Sequence, residues 1–495
     1  MTQAKKKAIV IGSGVAGLSA AAYLAKGNYE VTILEKNDSE GGRARQFKAD
    51  GFTFDMGPSW YWMPDVFEKF YQDFGFTTSD FYELIRLDPS YRVIAKNGEA
   101  VEIPANMNEL EALFEKFEPG SAERLRKFLN EAAYKYEVGI NDLVYKPSLS
   151  LMEFADLRLL KGLLKMDVLS NMRKHVRSVV SHPFLQELME FPVLFLGALP
   201  ENTPALYSLM NHADFTLGTW YPQGGMYNII EAFVKVAQAQ GAKLCLNQEV
   251  LKIVSENGIA KGVQTQTDYF EADVIIGAAD YHHIDQHILE PAQRSYSANY
   301  WDKRKLAPSC LLYYVGINKR LKNAVHHTLF FDTDFGLHSH EIYTQPKWPS
   351  NPLFYASVPS VTDPSVAPEG CENLFLLIPI APGIEGDTEA IREAYFVKIM
   401  NRLEQQLAEP ILPHVIYKRS YSVSDFKNDY HAFKGNAYGL ANTLDQTAIL
   451  KPSLKSKKIK NLYYAGQLTV PGPGVPPSII SGKVAAMQVF KEIGN

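Results

Sequence analysis

Apolar positions change rhythm three times along this chain. Ala8–Ile11 is a short continuous apolar run, the pattern of a buried strand, and it stops at Gly12. Leu18–Lys26 reads as a helix, with Ala20, Ala21 and Ala22 small enough to allow close packing. Val31–Leu34 is a second strand ending at Glu35. From about Pro104 to Gln223, Leu, Glu, Lys, Arg and Met recur at helical spacing. From Gly224 onward strands dominate again: Lys243–Leu246, Glu249–Val254, Gly262–Thr265 and Phe270–Ala279. A Gly/Pro-rich turn at 466–477 and a final helix close the chain. No repeat of 20–50 residues and no low-complexity linker interrupts this order.

The pattern is that of an α/β protein. A length of 495 residues exceeds one ordinary core and predicts two or three domains. Nucleotide-site features lie near both chain ends, which a nucleotide-binding domain split by a helical insertion explains. Apolar residues make up 46% and charged residues 21%, the balance of a folded globular protein.

Charge and cysteine usage narrow the function classes. A net charge of −5 provides no basic field for collecting phosphates, which argues against nucleic acid as a partner. Cys245, Cys310 and Cys371 lie far apart without a CxxC, and fit a reducing compartment rather than a disulfide framework or metal site. The basic start Lys5-Lys6-Lys7 before an apolar run could suggest a signal peptide, but Gly12 and Ser13 break the run too early. No apolar stretch is long enough to cross a bilayer, so a soluble or peripheral protein is expected. The pairs His282-His283 and His326-His327 lack metal-ligand spacing, and no metal site is expected.

Gly12-Ser13-Gly14-Val15-Ala16-Gly17 is a G-x-G-x-x-G turn in the right context, between a strand and a helix. Gly12 permits the tight turn, Gly14 lets backbone amides approach a pyrophosphate, and Gly17 lets the helix sit on the sheet. The positive end of that helix favours the phosphates. Glu35, 18 residues beyond Gly17, stands where an acid can accept from ribose hydroxyls. A second turn, Glu40-Gly41-Gly42-Arg43-Ala44-Arg45, adds amides and two guanidiniums for phosphate or flavin oxygens, favouring FAD over NAD.

Together these motifs resemble the FAD-binding fold of the amine oxidase and phytoene desaturase superfamily. The C-terminal Asn461–Gln467 and Pro471–Gly482 are similar to the signature of bacterial-type carotenoid desaturases, a family that includes hydroxycarotenoid 3,4-desaturases. Asp55–Ser59, Trp220–Met226, Val361–Gly370 and Tyr430–Gly439 resemble further family segments in the same order. The resemblance implies a Rossmann-like FAD-binding fold with a mixed-sheet substrate domain and a helical, membrane-facing insertion. It divides the chain into FAD-binding parts at 1–103, 224–285 and 441–495, a helical region at 104–223 and a substrate domain at 286–440. Besides Gly12, Gly14, Gly17 and Glu35, it implies FAD contacts at Ser13, Ala16, Lys36, Gly42, Arg43, Gly57, Pro58, Ser59, Val250, Gly466, Gly474, Val475 and Pro476, with Val250 meeting adenine through its backbone. Gln467 departs from flavin oxidases that carry an acid just after the C-terminal glycine.

The implied chemistry is desaturation of a carotenoid, of the phytoene type or at C3–C4 of a hydroxylated γ-carotene derivative, with oxygen or a quinone reoxidising the flavin. Alternatives are a carotenoid isomerase, another flavin oxidase, or an escort protein similar to GDP-dissociation inhibitors. Dense aromatics at Trp60-Tyr61-Trp62 and Tyr343–Phe354 could line a tunnel for a rod-like polyene. No catalytic residue is legible: Asp142, Asp214 and Glu231 are proton acceptors by type only. In 151–190, Leu157, Leu159, Leu160, Leu163, Leu164, Met166, Val168 and Leu169 interleave with Arg158, Lys161, Lys165, Arg173, Lys174 and Arg177. That pattern suits either a helix lying on the cytoplasmic face of the cell membrane or a core helix with a solvated basic face.

Overall fold

The structure is a computed structural model that describes residues 4–154, 170–197 and 199–494. Its first layer is a five-stranded parallel sheet. The strands run in the order Leu462–Tyr464, Val274–Gly277, Lys7–Ile11, Glu30–Leu34 and Lys243–Cys245. Parallel neighbours need crossover connections, and here the crossovers are long enough to contain most of the protein. Strands buried on both faces read as unbroken apolar runs, which is why Ala8–Ile11 and Val274–Ile276 carry no polar alternation.

The first helix, Val15–Lys26, lies on this sheet and packs against the last helix, Val475–Ile493, and against Tyr227–Ala239. The contact of first and last helices is a backbone approach. A Cβ placed on Gly482 would come within 2.4 Å of the Ala16 carbonyl oxygen and 2.7 Å of the Ala20 nitrogen. Gly17 is under the same constraint, since its Cβ would stand 2.1 Å from the Gly12 carbonyl oxygen.

A seven-stranded mixed sheet forms the second layer, in the order Val415–Tyr421, Ser309–Ile317, Glu372–Ile380, Phe354–Ser357, His327–Phe330, Tyr91–Ile94 and Ala100–Ile103. All neighbours are antiparallel except His327–Phe330 with Tyr91–Ile94. Period-two alternation splits its side chains between two cores. Leu311, Tyr313, Val315, Leu374 and Leu376 pack with Phe396, Ile399, Met400 and Leu403 of the helix Glu389–Leu407. Leu312, Tyr314, Phe375 and Tyr355 face the opposite way, toward the main core. A smaller antiparallel sheet, Val250–Glu256, Ile259–Thr265 and Tyr269–Glu271, stands beside the parallel layer.

The expected helix beginning at Leu18 starts three residues earlier, at Val15, directly after Gly14. The single strand expected over Phe270–Ala279 is two strands in two sheets. The Ala272 amide still bonds Lys261 of the small sheet, whereas that of Asp273 bonds Lys7 of the parallel sheet. A continuous apolar run cannot register such a change of partner. The helical expectation over 104–223 is met at Met107–Phe117, Ser121–Val138, Met172–Arg177 and Pro183–Glu190. Tyr91–Ile94 and Ala100–Ile103 join the seven-stranded sheet, so the strands of 1–103 are divided among both large sheets and two two-stranded ones.

Candidate functional site

One cavity of about 490 Å³ extends from the end of the parallel sheet to the inner face of the mixed sheet. Its first half is made of backbone turns. Gly12 has φ +98°, which a side chain would strain, and its carbonyl sits under Gly17. Gly14 caps the first helix with ordinary extended backbone (φ −67°), and a Cβ there would meet no protein atom within 4 Å. Space, and not conformation, is what this glycine provides. The helix has no side-chain cap and no acid in its first turn, so its leading amides remain available to an anion.

Glu35 is 4% exposed at the end of the second strand, and both of its oxygens are engaged. Oε2 accepts from the Ser13 amide (2.9 Å) and hydroxyl (2.8 Å); Oε1 accepts from the backbone amide (3.0 Å) and side chain (2.9 Å) of Asn37. Ser13 therefore acts by fixing Glu35 and does not line the cavity. Nearby, His431 Nε2 pairs with Glu249 at 2.8 Å, and the His283 ring stacks on that of His431 at 4.0 Å. Burial, followed by the proximity of the His431 ring, lowers His283 to about 3, so the His283 ring is neutral at neutral pH.

Arg43 lies in the second glycine turn, between Gly42 and Ala44. Its guanidinium is buried, donates to the Asn436 carbonyl at 3.3 Å, and rests on the Tyr430 ring at 5.3 Å; its Nε has no partner. Burial lowers its pKa, with Asp280 opposing. A buried cation with an orphaned donor on a cavity wall fits an anionic group in that cavity.

Sequence segments far apart converge here. Asp55 accepts from the amides of Met226 (2.7 Å) and Tyr227 (3.1 Å), joining the 55–59 turn to the 220–226 segment. Asp363 accepts from the Gly224 amide (2.6 Å) and the Tyr221 hydroxyl (3.3 Å), adding the 361–370 segment. Asn436 accepts from the Gly439 amide (2.8 Å) and from Gln467 Nε2 (3.1 Å), tying 430–439 to the C-terminal turn. Gln467 thus holds a neighbouring loop where an acid could donate nothing.

Of the residues proposed from sequence, Gly12, Gly14, Ala16, Glu35, Lys36, Gly42, Arg43, Gly57, Pro58, Ser59, Val250, Gly466, Gly474, Val475 and Pro476 line the cavity. Ser13 and Gly17 stand behind its wall. Residues not anticipated there include Met63, Phe191, Met210, Cys310, Phe331, His338, Phe375 and Tyr438. Except for Tyr438, they come from segments with no local motif, on strands, on helices and in loops, that only the tertiary fold brings together. Trp60, Trp62 and Tyr343–Phe354 carried an aromatic signal, and most of it reaches this chamber; Tyr61 is instead buried against Phe67 and Tyr82. His338 is held by two backbone bonds, Nδ1 accepting from the Leu353 amide (3.0 Å) and Nε2 meeting the Pro379 carbonyl (2.9 Å).

The three acids suggested as proton acceptors do not line the cavity. Asp142 lies in the helical segment Gly139–Leu143, and Glu231 is exposed on the outer face of Tyr227–Ala239. Asp214 is buried, accepts from the Tyr91 hydroxyl at 2.7 Å, and has no partner at Oδ1. Residue type alone carried these suggestions, and topology puts the chamber elsewhere.

The basic insertion is only partly described. Leu157, Arg158, Leu159, Leu160, Lys161, Leu163, Leu164, Lys165, Met166, Val168 and Leu169 lie outside the described residues. Of the remaining cations, Arg173 pairs with Glu201 (3.0 Å) and Glu190 (3.6 Å), and Arg177 with Glu190 (3.7 Å). Lys174 is exposed. Among the described residues, no helix is long and apolar enough to cross a membrane.

A split parallel sheet with a glycine cradle at its end, opening into an aromatic chamber, defines a dinucleotide-binding enzyme with an apolar substrate space. Residues 15–490 match the family model described as flavin containing amine oxidoreductase. The chain belongs to this family, and its cofactor is FAD. It is 39% identical to a carotenoid 3,4-desaturase of Haloarcula japonica, covering 98% of both chains. It is 31% identical to a 4,4'-diapophytoene desaturase (4,4'-diaponeurosporene-forming) of Staphylococcus haemolyticus, again over 98% of each. Among solved structures, an oxidoreductase of Methanosarcina mazei matches with TM-score 0.63 at 17% identity, covering 98% of this chain and 100% of that one. Cyclohexylamine oxidase of Brevibacterium oxydans matches with TM-score 0.60 at 14% identity, covering 99% and 100%. These two share the fold.

Burial pushes Asp214 up to about 8, with the Tyr91 hydrogen bond opposing. An acid raised above its unfolded value of about 3.9 holds its proton in the native state. Its contribution to stability is therefore complete below about pH 4 and is lost as pH rises toward about 8. Asp214→Asn keeps an acceptor for Tyr91 and removes the titration. The thermal midpoint of the variant is expected to change less between about pH 5 and pH 8 than that of the wild type; identical pH slopes would contradict a neutral Asp214.

Proposed function

We propose that this protein is an FAD-dependent desaturase that introduces C=C bonds into a carotenoid. The observation that carries the reading is the continuity of the cavity, in which the glycine cradle and the aromatic chamber are one space. Similarity across nearly the full length to relatives named as carotenoid desaturases supports it. Greater identity to the 3,4-desaturase favours C3–C4 desaturation of a hydroxylated γ-carotene derivative over the phytoene-type reaction.

In this reading the amides after Gly14 and the Arg43 guanidinium would hold the pyrophosphate, and Glu35 would accept from the adenosine ribose in exchange for one of its side-chain donors, Ser13 or Asn37. Lys36 and Val250 flank the adenosine, while Gly42, Gly57–Ser59, Gly466 and Gly474–Pro476 bound the flavin. The FAD-binding parts are 1–103, 224–285 and 441–495, with 286–440 and the helical 104–223 around the substrate. FAD supplies a hydride acceptor. The protein holds the polyene along the aromatic wall and excludes water from the reacting carbons. Oxygen or a quinone reoxidises the cofactor.

A peripheral position on the inner face of the cell membrane follows from where a carotenoid dissolves. With Arg173 and Arg177 paired to acids, the apolar contribution carries this part of the reading: Leu149 (39% exposed) and Met152 (81% exposed) stand immediately before the undescribed stretch.

Cells making a 1-hydroxylated γ-carotene-type precursor and this protein are expected to accumulate the 3,4-desaturated product on chromatography, and cells making phytoene to show little change. No new chromophore from either precursor would refute a desaturase. Gly14→Val is expected to abolish FAD retention with the fold preserved, because its side chain enters ligand space and no protein atom. Glu35→Ala should weaken FAD by about 10-fold, the scale of one charge-assisted hydrogen bond, as read by titration. Unchanged affinity in both variants would remove the assignment. In liposome sedimentation, replacing Leu149 and Met152 by Ser should release more protein than replacing Arg173 and Arg177 by Gln; the reverse order would restore an electrostatic anchor.

A further inference from the structure

Carbon–carbon desaturation removes a hydride and a proton, and the aromatic chamber must provide somewhere for the proton to go. The ionisable residues of the cavity divide sharply. Glu35, Lys36, Glu249, His283 and His431 belong to the glycine-turn end described above, and Asp280 and Asp429 are engaged by the Phe433 amide and by Arg45. In the aromatic part, among the described residues, the titratable side chains are Cys310, His338, Tyr343, Tyr355 and Tyr438. Both ring nitrogens of His338 are held by backbone groups. Burial raises Cys310, Tyr343, Tyr355 and Tyr438 alike, so the partner of each group and not its acidity separates them. Of these, Tyr355 is the one whose hydroxyl is bonded to an imidazole.

Tyr355 is different. It lines the cavity from the strand Phe354–Ser357, and its hydroxyl lies 2.6 Å from Nδ1 of His327 on the neighbouring strand. Tyr355 pairs across the sheet with Leu329, and His327 with Ser357, so the two side chains meet on one diagonal of a rigid ladder. His327 is wholly buried, stacked on Trp60 at 4.3 Å and 11°, and its Nε2 has no partner. Burial, followed by the neighbouring His326, keeps the imidazole neutral. A neutral imidazole joined by a short bond to the hydroxyl of a cavity-lining tyrosine can take that hydroxyl's proton transiently, and its burial favours giving the proton up again.

We propose that Tyr355 is the catalytic proton acceptor of the desaturation, relaying through His327 as its positioning residue. This rests on the desaturase reading. As one carbon gives its hydride to oxidised flavin, the adjacent carbon gives its proton to the Tyr355 oxygen, and the electron pair of that C–H bond becomes the new C=C bond. The tyrosine's own proton moves to His327 Nδ1, leaving a neutral tyrosine and an imidazolium; return of the proton to solvent resets the pair. The required tautomer carries its hydrogen on Nε2, the atom without a partner.

The test is single-turnover reduction of the FAD-loaded enzyme by carotenoid, using substrate deuterated separately at the hydride-losing and proton-losing carbons. Tyr355→Phe is expected to slow flavin reduction about 10²–10⁴-fold and to raise the isotope effect at the proton-losing carbon. His327→Asn places an amide oxygen near Nδ1, keeping an acceptor for the tyrosine but no basic nitrogen. It should fall comparably, and the double variant no further, as for groups acting as one unit. FAD content and the carotenoid absorbance shift on binding report whether each variant is assembled. Either assembled variant reducing flavin within about threefold of wild type, or slowing with isotope effects unchanged, would overturn the relay. Failure of the wild type to reduce its flavin with any carotenoid would instead overturn the desaturase reading.

Discussion

The architecture depends on a backbone-to-backbone approach between the two ends of the chain. Gly482 of the last helix lies against Ala16 and Ala20 of the first, with no room for a Cβ, and Gly17 lies as closely on Gly12. Interiors are packed at crystal-like density, so a methyl group here would displace a helix and leave no small local void. That contact sets the first helix at the height where its leading amides, the Gly474 turn and Ala465–Thr469, just beyond the strand Leu462–Tyr464, surround one space. Nearly all the remaining residues are folded inside the loop that this contact closes.

The second sheet converts that space into a long chamber. The strand Ser309–Ile317 is buried along its whole length, and alternation gives each face a separate task. One face packs on the helix Glu389–Leu407; the other presents Cys310 and Leu312 to the cavity, beside Leu377 and Tyr355. Hydrogen-bonded ladders hold such a wall more rigidly than loops would, which suits an apolar substrate that offers few polar handles for orientation.

Charge is distributed unevenly along the same cavity. Carboxylates, histidines and Arg43 gather around the glycine turns, each fixed by a named partner, whereas the aromatic chamber holds hydroxyls, a thiol and neutral imidazoles. Low dielectric in the chamber keeps His338 and His327 uncharged. A polyene therefore meets no fixed ion, and proton movement is confined to groups that begin and end the cycle neutral.

The sequence by itself determined the nucleotide half of the molecule. Gly12, Gly14, Gly17 and Glu35 are legible locally, since the tight turn and helix start adjoin the first strand and Glu35 ends the next strand of the same strand–helix–strand unit. The C-terminal glycine-proline turn was legible for the same reason, as were the strands whose apolar runs are buried on both faces. The tertiary structure alone decided the rest. Ladder pairing, invisible to periodicity, placed Tyr91–Ile94 in the mixed sheet and split Phe270–Ala279 between two sheets at Ala272-Asp273. It also set Tyr355 beside His327, 28 residues apart, while Asp142, Asp214 and Glu231 fell outside the cavity. A residue's type states what chemistry it can do; which side chains share one space is set by long-range pairing, which no local pattern encodes.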